Sequence, residues 1–428
     1  MRQALLSPAD GLDTAPGKIY HDTRHNNGNH RRTMTVRYGT NCLYMKIKIL
    51  SVLLVSSLPA ICPAATQLTI KATNKLQIPR ASQTIELSEK ELAPLDAKNI
   101  ETLHVKDSSG KEVLCQAVDT DFDDYHKRDT LIFQADFAPG ETKTFTVSSG
   151  KKHSYKKEDF KAYGRFNQER FDDYAWENDL IAHRTYGTAL ITWKGEPLTS
   201  SSIDIWSKNT SKLVINDWYM LDDYHSDHGE GCDDYSAGAT RGDGGIGLWV
   251  NNELVAPINF SASRTLANGP IRVLFELDYP AYDANGAKIT ETLRVSLDAG
   301  SQLDHYVATF KGATGPLDAA IGLKKTAGAK IDYDSKVGSL TSWEPMEKKL
   351  GMQGLGIIID PKLLVKQAED SKNNFAIAKT EANGTISYWT GFAWDRPGKI
   401  TSQDAWKKYI TDFAQGVASP IEVSVSGQ

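Results

Sequence analysis

The sequence predicts an all-β protein: antiparallel β-sandwich architecture with a smaller N-terminal β-sandwich module and few helices. Three observations carry this. Alternating and β-branched segments recur through most of the chain beyond residue 65. Gly and Asp turns separate them at short intervals, and strong helical periodicity occurs once. Strands arriving this densely argue for packed antiparallel sheets rather than βαβ units.

The N-terminus reads differently. Met45 opens Lys46-Ile47-Lys48, an apolar run follows over 49–58, and small residues lead to Ala65. A basic start, a short apolar core and a small-residue cleavage region make a secretory signal peptide at 45–65. The run is too short to anchor in a bilayer, so no membrane span is expected in the mature chain, which would be periplasmic or secreted. Residues 1–44 are polar and patternless, as expected of a misassigned start or a disordered extension. Cys115 and Cys232 remain after cleavage, and a disulfide between them and two buried thiols both stay open.

Strands are expected at 66–72, 101–106, 112–118, 130–135 and 143–148, composing the small module over 66–150. A Ser/Gly/Lys-rich stretch at 149–159 reads as a linker. The body at 160–428 carries expected strands at 188–193, 202–206, 213–216, 271–278, 291–296, 303–310, 356–359, 375–378, 385–389 and 421–425. A helix is expected over 402–415, with Thr401 and Asp404 as a capping pair and Trp406, Tyr409, Ile410 and Phe413 on one face.

Composition is ordinary for a globular chain: 428 residues, 40% hydrophobic, with a formal net charge of -5. Without basic clusters beyond the first fifty residues, nucleic acid is not an expected partner. There is no P-loop, dinucleotide-binding glycine fingerprint, Gly-x-Ser-x-Gly elbow or His-Glu-x-x-His helix. Nucleotide cofactors, serine hydrolases and common zinc proteases are therefore not expected.

The densest polar segment is 219–247. It gathers Tyr224, His225, Asp227, His228, Glu230, Asp233, Tyr235 and Arg241 on a glycine-rich stretch too polar for core and too long for a simple turn. Imidazoles and phenols can exchange protons while Arg241 holds an anion. Alternatively His225, His228 and Glu230 would ligate a divalent metal. A solvated surface loop is the plain reading. A second segment, 170–187, mixes Trp176, Glu177, Asn178, His183 and Arg184, the aromatic and planar polar groups that a sugar ring needs. A strand edge with a satisfied histidine explains the same residues. Trp389 and Trp394 add aromatics flanked by charge or glycine, although any single Trp is more often core.

In Trp-Glu-Asn-Asp at 176–179, His-Gly-Glu-Gly at 228–231, and the segments 264–272 and 391–396, the chain resembles a bacterial domain-of-unknown-function family. Its members sit in polysaccharide-utilisation gene clusters, often beside unsaturated-uronyl hydrolases. A related protein is an oligosaccharide dehydratase of ulvan breakdown. The resemblance spans nearly the whole chain beyond the signal. It implies a mutarotase-like supersandwich and an oligosaccharide or polysaccharide substrate rich in uronic acid. The reaction it implies is β-elimination, by a dehydratase or a lyase.

Such a reaction needs the uronate carboxylate neutralised, a base for C5 and an acid for the C4 oxygen. Arg241, Arg184 or Arg264 would do the first, His225 or His228 the second, Tyr224 or Tyr235 the third, with Glu230 orienting a histidine. A glycoside hydrolase using Glu177 and Glu230, and a non-catalytic glycan-binding protein, are the competing readings.

Overall fold

The structure is a computed structural model that describes residues 66–95, 99–120, 127–195 and 198–427. The expected signal peptide and the stretch before it lie outside the described residues. The fold class is the expected one: antiparallel sheets dominate, and the described residues contain three α-helices, Glu89–Leu92, Ile215–Leu221 and Gln403–Ala418. None is long and apolar enough to cross a membrane.

The N-terminal sandwich packs a five-stranded sheet on a three-stranded one. The first sheet runs Glu422–Gly427, Gln67–Thr73, Thr142–Ser149, Leu103–Asp107, Glu112–Val113; the second runs Arg80–Ser88, Thr130–Phe137, Cys115–Val118. Alternation explains the packing: Leu68, Ile70 and Ala72 are buried on one side of their strand and meet Leu87, Phe133 and Phe145. The outer strand of that sheet comes from the far C-terminus, with Ile70 opposite Val425. Segment 149–159 is tied down rather than loose, since Tyr155 donates to the Cys115 carbonyl at 2.8 Å.

The body is built on an eight-stranded sheet. Its long hairpin, Arg272–Ala284 with Ala287–Asp298, turns at Asn285-Gly286, both at positive φ (56° and 83°), the turn whose twist suits paired strands. One hydrophobic core joins this sheet to two five-stranded sheets. Phe275, Val295 and Tyr306 come from the large sheet, Ile246, Ile321 and Ala376 from one smaller sheet, and Tyr174, Trp176 and Ile205 from the other. The last of these, Gly231–Cys232, Asp204–Lys208, Ala182–Thr185, Asp173–Asn178, Ala162–Asn167, positions the site.

The helix Gln403–Ala418 lies on the same large sheet through Trp406 and Ile410, with Tyr409 and Phe413 beside them. Gly354 makes this approach possible: a Cβ there would meet Trp406 at 2.6 Å. The cap is Ser402, whose Oγ accepts from Ala405 N, not the expected Thr401. Two other local expectations fail. Residues 188–193 hold the 3-10 turn Thr188–Ile191 instead of a strand. Leu213-Val214-Ile215 leads into the helix Ile215–Leu221, because the buried Glu177 carboxylate accepts from Val214 N and Ile215 N, both at 2.8 Å. A short apolar run fits helix or strand, and this tertiary contact decides it.

Candidate active site

Segment 219–247 begins in the helix Ile215–Leu221. Asp222 then takes a left-handed conformation (φ 53°), turning the chain back over the sheet. Tyr224 packs its ring on Trp206 (centroids 4.9 Å), and His225 follows, its ring 4.6 Å from that of Tyr224. The chain rejoins the sheet at Gly231–Cys232, opposite Ser207 and Lys208. Asp233 comes next, its N–H donating to the Tyr224 carbonyl at 2.8 Å.

Arg184 is the hub below. Its Nε meets Asp204 Oδ2 at 2.8 Å, its Nη2 meets Asp233 Oδ2 at 2.8 Å, and its Nη1 lies 3.5 Å from Asp173 Oδ2 and from Tyr224 Oη. Tyr186 donates to Asp204 at 2.8 Å and Tyr219 to Asp173 at 3.1 Å. Arg170 Nε reaches Asp173 at 3.4 Å. A guanidinium is suited to this, having five donors in a rigid fork.

Burial is the largest influence on the carboxyls of Asp173, Asp233 and Asp234. It pushes Asp173 up to about 6, and burial with the neighbouring Asp204 charge raises Asp233 well above the usual carboxylate range. Asp234, buried beside them, has neither oxygen hydrogen-bonded to protein, and burial pushes it up to about 6. Its nearest cation is Lys348 Nζ at 3.8 Å.

His225 stands at the mouth of this cluster with 58% of its side chain exposed. Its Nδ1 lies 3.2 Å from the Asp233 carbonyl and 3.4 Å from Asp233 Oδ2. Partial burial, then the positive charges of Arg184, Lys348 and Arg170, hold its pKa below the usual 6.5. Lys348 also donates to the His225 carbonyl at 2.7 Å. The Lys348-Lys349 backbone is left-handed (φ 44° and 60°), a strained conformation for residues with side chains. The exposed His225 imidazole thus sits beside Asp233 and Lys348, over a buried cluster in which Arg184 and Arg170 are paired with Asp173, Asp204 and Asp233. Burial raises the Tyr224 pKa, so its phenol keeps its proton.

The other residues singled out by sequence are placed elsewhere. His228 is exposed and pairs with Asp223 at 2.9 Å, and Glu230 pairs with Lys212. Their ligand atoms and that of His225 do not all lie within 4.8 Å of one another. Arg241 is buried and spends its guanidinium on Ser200, Ser201 and the Ile246 carbonyl. Tyr235 is buried under Lys324, whose Nζ is 4.6 Å from the ring centroid.

Trp176, Glu177, Asn178 and His183 are fully buried. Trp176 donates to Asp304 at 2.7 Å, and His183 lies 3.1 Å from the same carboxylate. Glu177 pairs with Lys208 at 2.7 Å, and Asn178 accepts from Leu180 N and Ile181 N to make a turn. Arg264 pairs with Glu276 on the large sheet. Trp394 donates to the Leu350 carbonyl at 3.1 Å. Trp389 stacks on His305 (centroids 4.6 Å, 14°) in a separate cleft of about 480 Å³ between the large sheet, the strand Arg80–Ser88 and the C-terminal helix. Cys115 and Cys232 are buried, unbonded thiols, each pushed up to about 12 by burial.

Sequence reasoning singled out Asp233 but passed over Arg170, Asp173, Asp204, Asp234 and Lys348. The signal that was available is Asp233-Asp234 after Gly-Glu-Gly-Cys at 229–232: adjacent carboxylates alternate in direction where a strand ends.

A family model described as a domain of unknown function (DUF4861) matches residues 72–423. The chain belongs to that family. The chain is also similar to uncharacterized protein P7 of Formosa agariphila, 32% identical over 371 residues, covering 83% of this chain and 93% of that protein. Among solved structures, a protein in glycosyl hydrolase family 38 from Enterococcus faecalis superposes with a TM-score of 0.51 at 11% identity. The match covers 85% of this chain and 48% of that one, so this chain spans about half the length of the solved structure. At that identity the likeness is one of fold.

Proposed function

We propose that this DUF4861 protein is an exported carbohydrate-active enzyme that performs β-elimination on uronic-acid-containing oligosaccharides, as a dehydratase at the chain end. The observation that carries the reading is the exposed His225, held by the Asp233 carbonyl with Lys348 beside it and the Arg184 cluster below. A uronate resists loss of its C5 proton because the carboxylate charge opposes the developing carbanion. Cations at the carboxylate remove that opposition, and oriented charge in a partly desolvated site is worth more than in water.

In this reading His225, neutral at physiological pH, takes the C5 proton. Tyr224 gives its proton to the C4 oxygen as the C4–O bond breaks, and the electron pair of the C5–H bond becomes the C4=C5 double bond. If the C4 substituent is hydroxyl, the products are water and an unsaturated uronate. If it is a sugar, the same steps cleave the chain. Asp233 fixes the imidazole through its carbonyl at 3.2 Å. Geometry within hydrogen-bond reach is what general acid–base catalysis requires.

The hydrolytic alternative has less support, because Glu177 is locked in a buried pair with Lys208 and Glu230 faces solvent beside Lys212. Paired-carboxylate hydrolysis needs two acids facing one sugar bond. Incubation with uronate-terminated oligosaccharides separates the readings: elimination yields a conjugated, ultraviolet-absorbing product, hydrolysis a new reducing end without absorbance. N-terminal sequencing of the protein recovered from cells tests export, which predicts a mature start at Ala65 or Thr66.

A further inference from the structure

The N-terminal sandwich carries a second cluster of ligating side chains, remote in sequence from the site above. His104 on the strand Leu103–Asp107, Glu112 on Glu112–Val113, and His153 beyond Thr142–Ser149 each bring one ligand atom within 4.8 Å of the others. His104 Nδ1 meets Glu112 Oε1, and His104 Nε2 lies 2.8 Å from the Lys151 carbonyl. His153 Nε2 lies 2.7 Å from the Leu103 carbonyl. The two rings are 4.2 Å apart at an angle of 37°.

We propose that His104, Glu112 and His153 form a binding site for a divalent cation of the zinc type. Each imidazole gives Nε2 to a main-chain carbonyl, which fixes the tautomer and leaves Nδ1 as the ligating nitrogen. Proteins orient metal-bound histidines in this way. Two imidazoles and a carboxylate are ligands that zinc accepts, at about 2.0–2.2 Å, so tetrahedral ligand atoms stand roughly 3.3 Å apart. Side-chain shifts of about 1 Å within the 4.8 Å cluster bring the three atoms to that spacing. Glu112 is 51% exposed, so water has access to the fourth position.

Cys115 Sγ, 3.4 Å from His153 Nε2, faces the nitrogen committed to Leu103 and supports the ring from behind. A bound ion would cross-link a hairpin of the small module to the segment that leads into the body. This makes it a structural brace rather than part of the elimination chemistry.

The test uses the full chain, stripped with a chelator and titrated with zinc by calorimetry, with elemental analysis and melting temperatures alongside. The inference predicts one equivalent bound and a higher melting temperature, because an ion that binds only the native state stabilises it. Glu112→Gln and His104→Ala should each weaken binding at least tenfold, whereas His228→Ala should leave it intact. Glu112 is exposed, so Glu112→Gln folds even where His104→Ala does not. Absence of saturable binding to the unaltered chain, or binding that Glu112→Gln leaves unchanged, overturns the inference.

Discussion

His225 Nδ1 lies 3.2 Å from the main-chain oxygen of Asp233, whose side chain in turn binds Arg184 at 2.8 Å. One residue therefore orients the exposed imidazole and anchors the guanidinium beneath it, coupling the base to the buried charge cluster.

Replacing His225 by Ala is expected to lower kcat by about 10²–10⁴-fold, the usual contribution of a general base. Its side chain is 58% exposed, so the melting temperature should stay near that of the unaltered protein. Its lowered pKa sets the pH dependence. The neutral imidazole is the active form, so activity should rise with pH through a midpoint below about 6.5 and then level off. A rate profile with its acid limb well above that value contradicts the assignment.

Lys348→Ala and Arg170→Ala remove cations whose charge bears on His225. Both are expected to raise KM for uronate-terminated substrates more than for a neutral analogue, with larger effects at low ionic strength. Equal effects on charged and neutral substrates would place these side chains outside the binding site. His228→Ala and Glu230→Gln alter exposed pairs and should change kcat/KM by less than about threefold, in line with the small worth of surface ion pairs.

The buried pairs are expected to report on stability instead. Glu177→Gln leaves Lys208 buried beside a neutral amide and weakens the start of the helix Ile215–Leu221, so a loss of about 3–5 kcal/mol is expected in urea denaturation. Because that helix turns into Tyr224 and His225, activity should fall with the folded fraction. Full stability in Glu177→Gln would mean that the pair does not hold the helix.

How much of this was legible from sequence depends on the range of the contact. The face shared by Trp406 and Ile410 is a local pattern, and the structure follows it. Leu213-Val214-Ile215 reads as a strand by composition, and only Glu177, 37 residues earlier for Val214, shows it to be a helix start. His225 and Tyr224 were picked out because imidazole and phenol are conspicuous on a polar loop. Lys348 was invisible, since 123 residues separate it from His225 and a lone lysine carries no pattern. Trp176 and Glu177 looked like a sugar platform, yet their strand, Asp173–Asn178, is buried along its whole length. Polar residues there serve internal pairs, which composition alone cannot distinguish from a cleft.

Glu291 gives a pH-stability prediction independent of catalysis. Burial pushes it up to about 8, from an ordinary 4.5, with Tyr282 donating at 3.4 Å. The native state holds a proton that the unfolded chain has released, so its contribution is fully present below about pH 4.5 and is lost as pH rises through about 8. Glu291→Gln should flatten the decline in stability across that window, read from denaturation midpoints at several pH values. An unchanged slope would show that Glu291 is ionised in the folded protein.

The most direct test of the central claim is mass spectrometry with ultraviolet absorbance on uronate-terminated oligosaccharides incubated with the purified protein. The account predicts loss of one water, a growing absorbance from the conjugated unsaturated uronate, no shortening of the chain, and none of these with His225→Ala. Chain shortening without absorbance, or turnover that persists in His225→Ala, would contradict it.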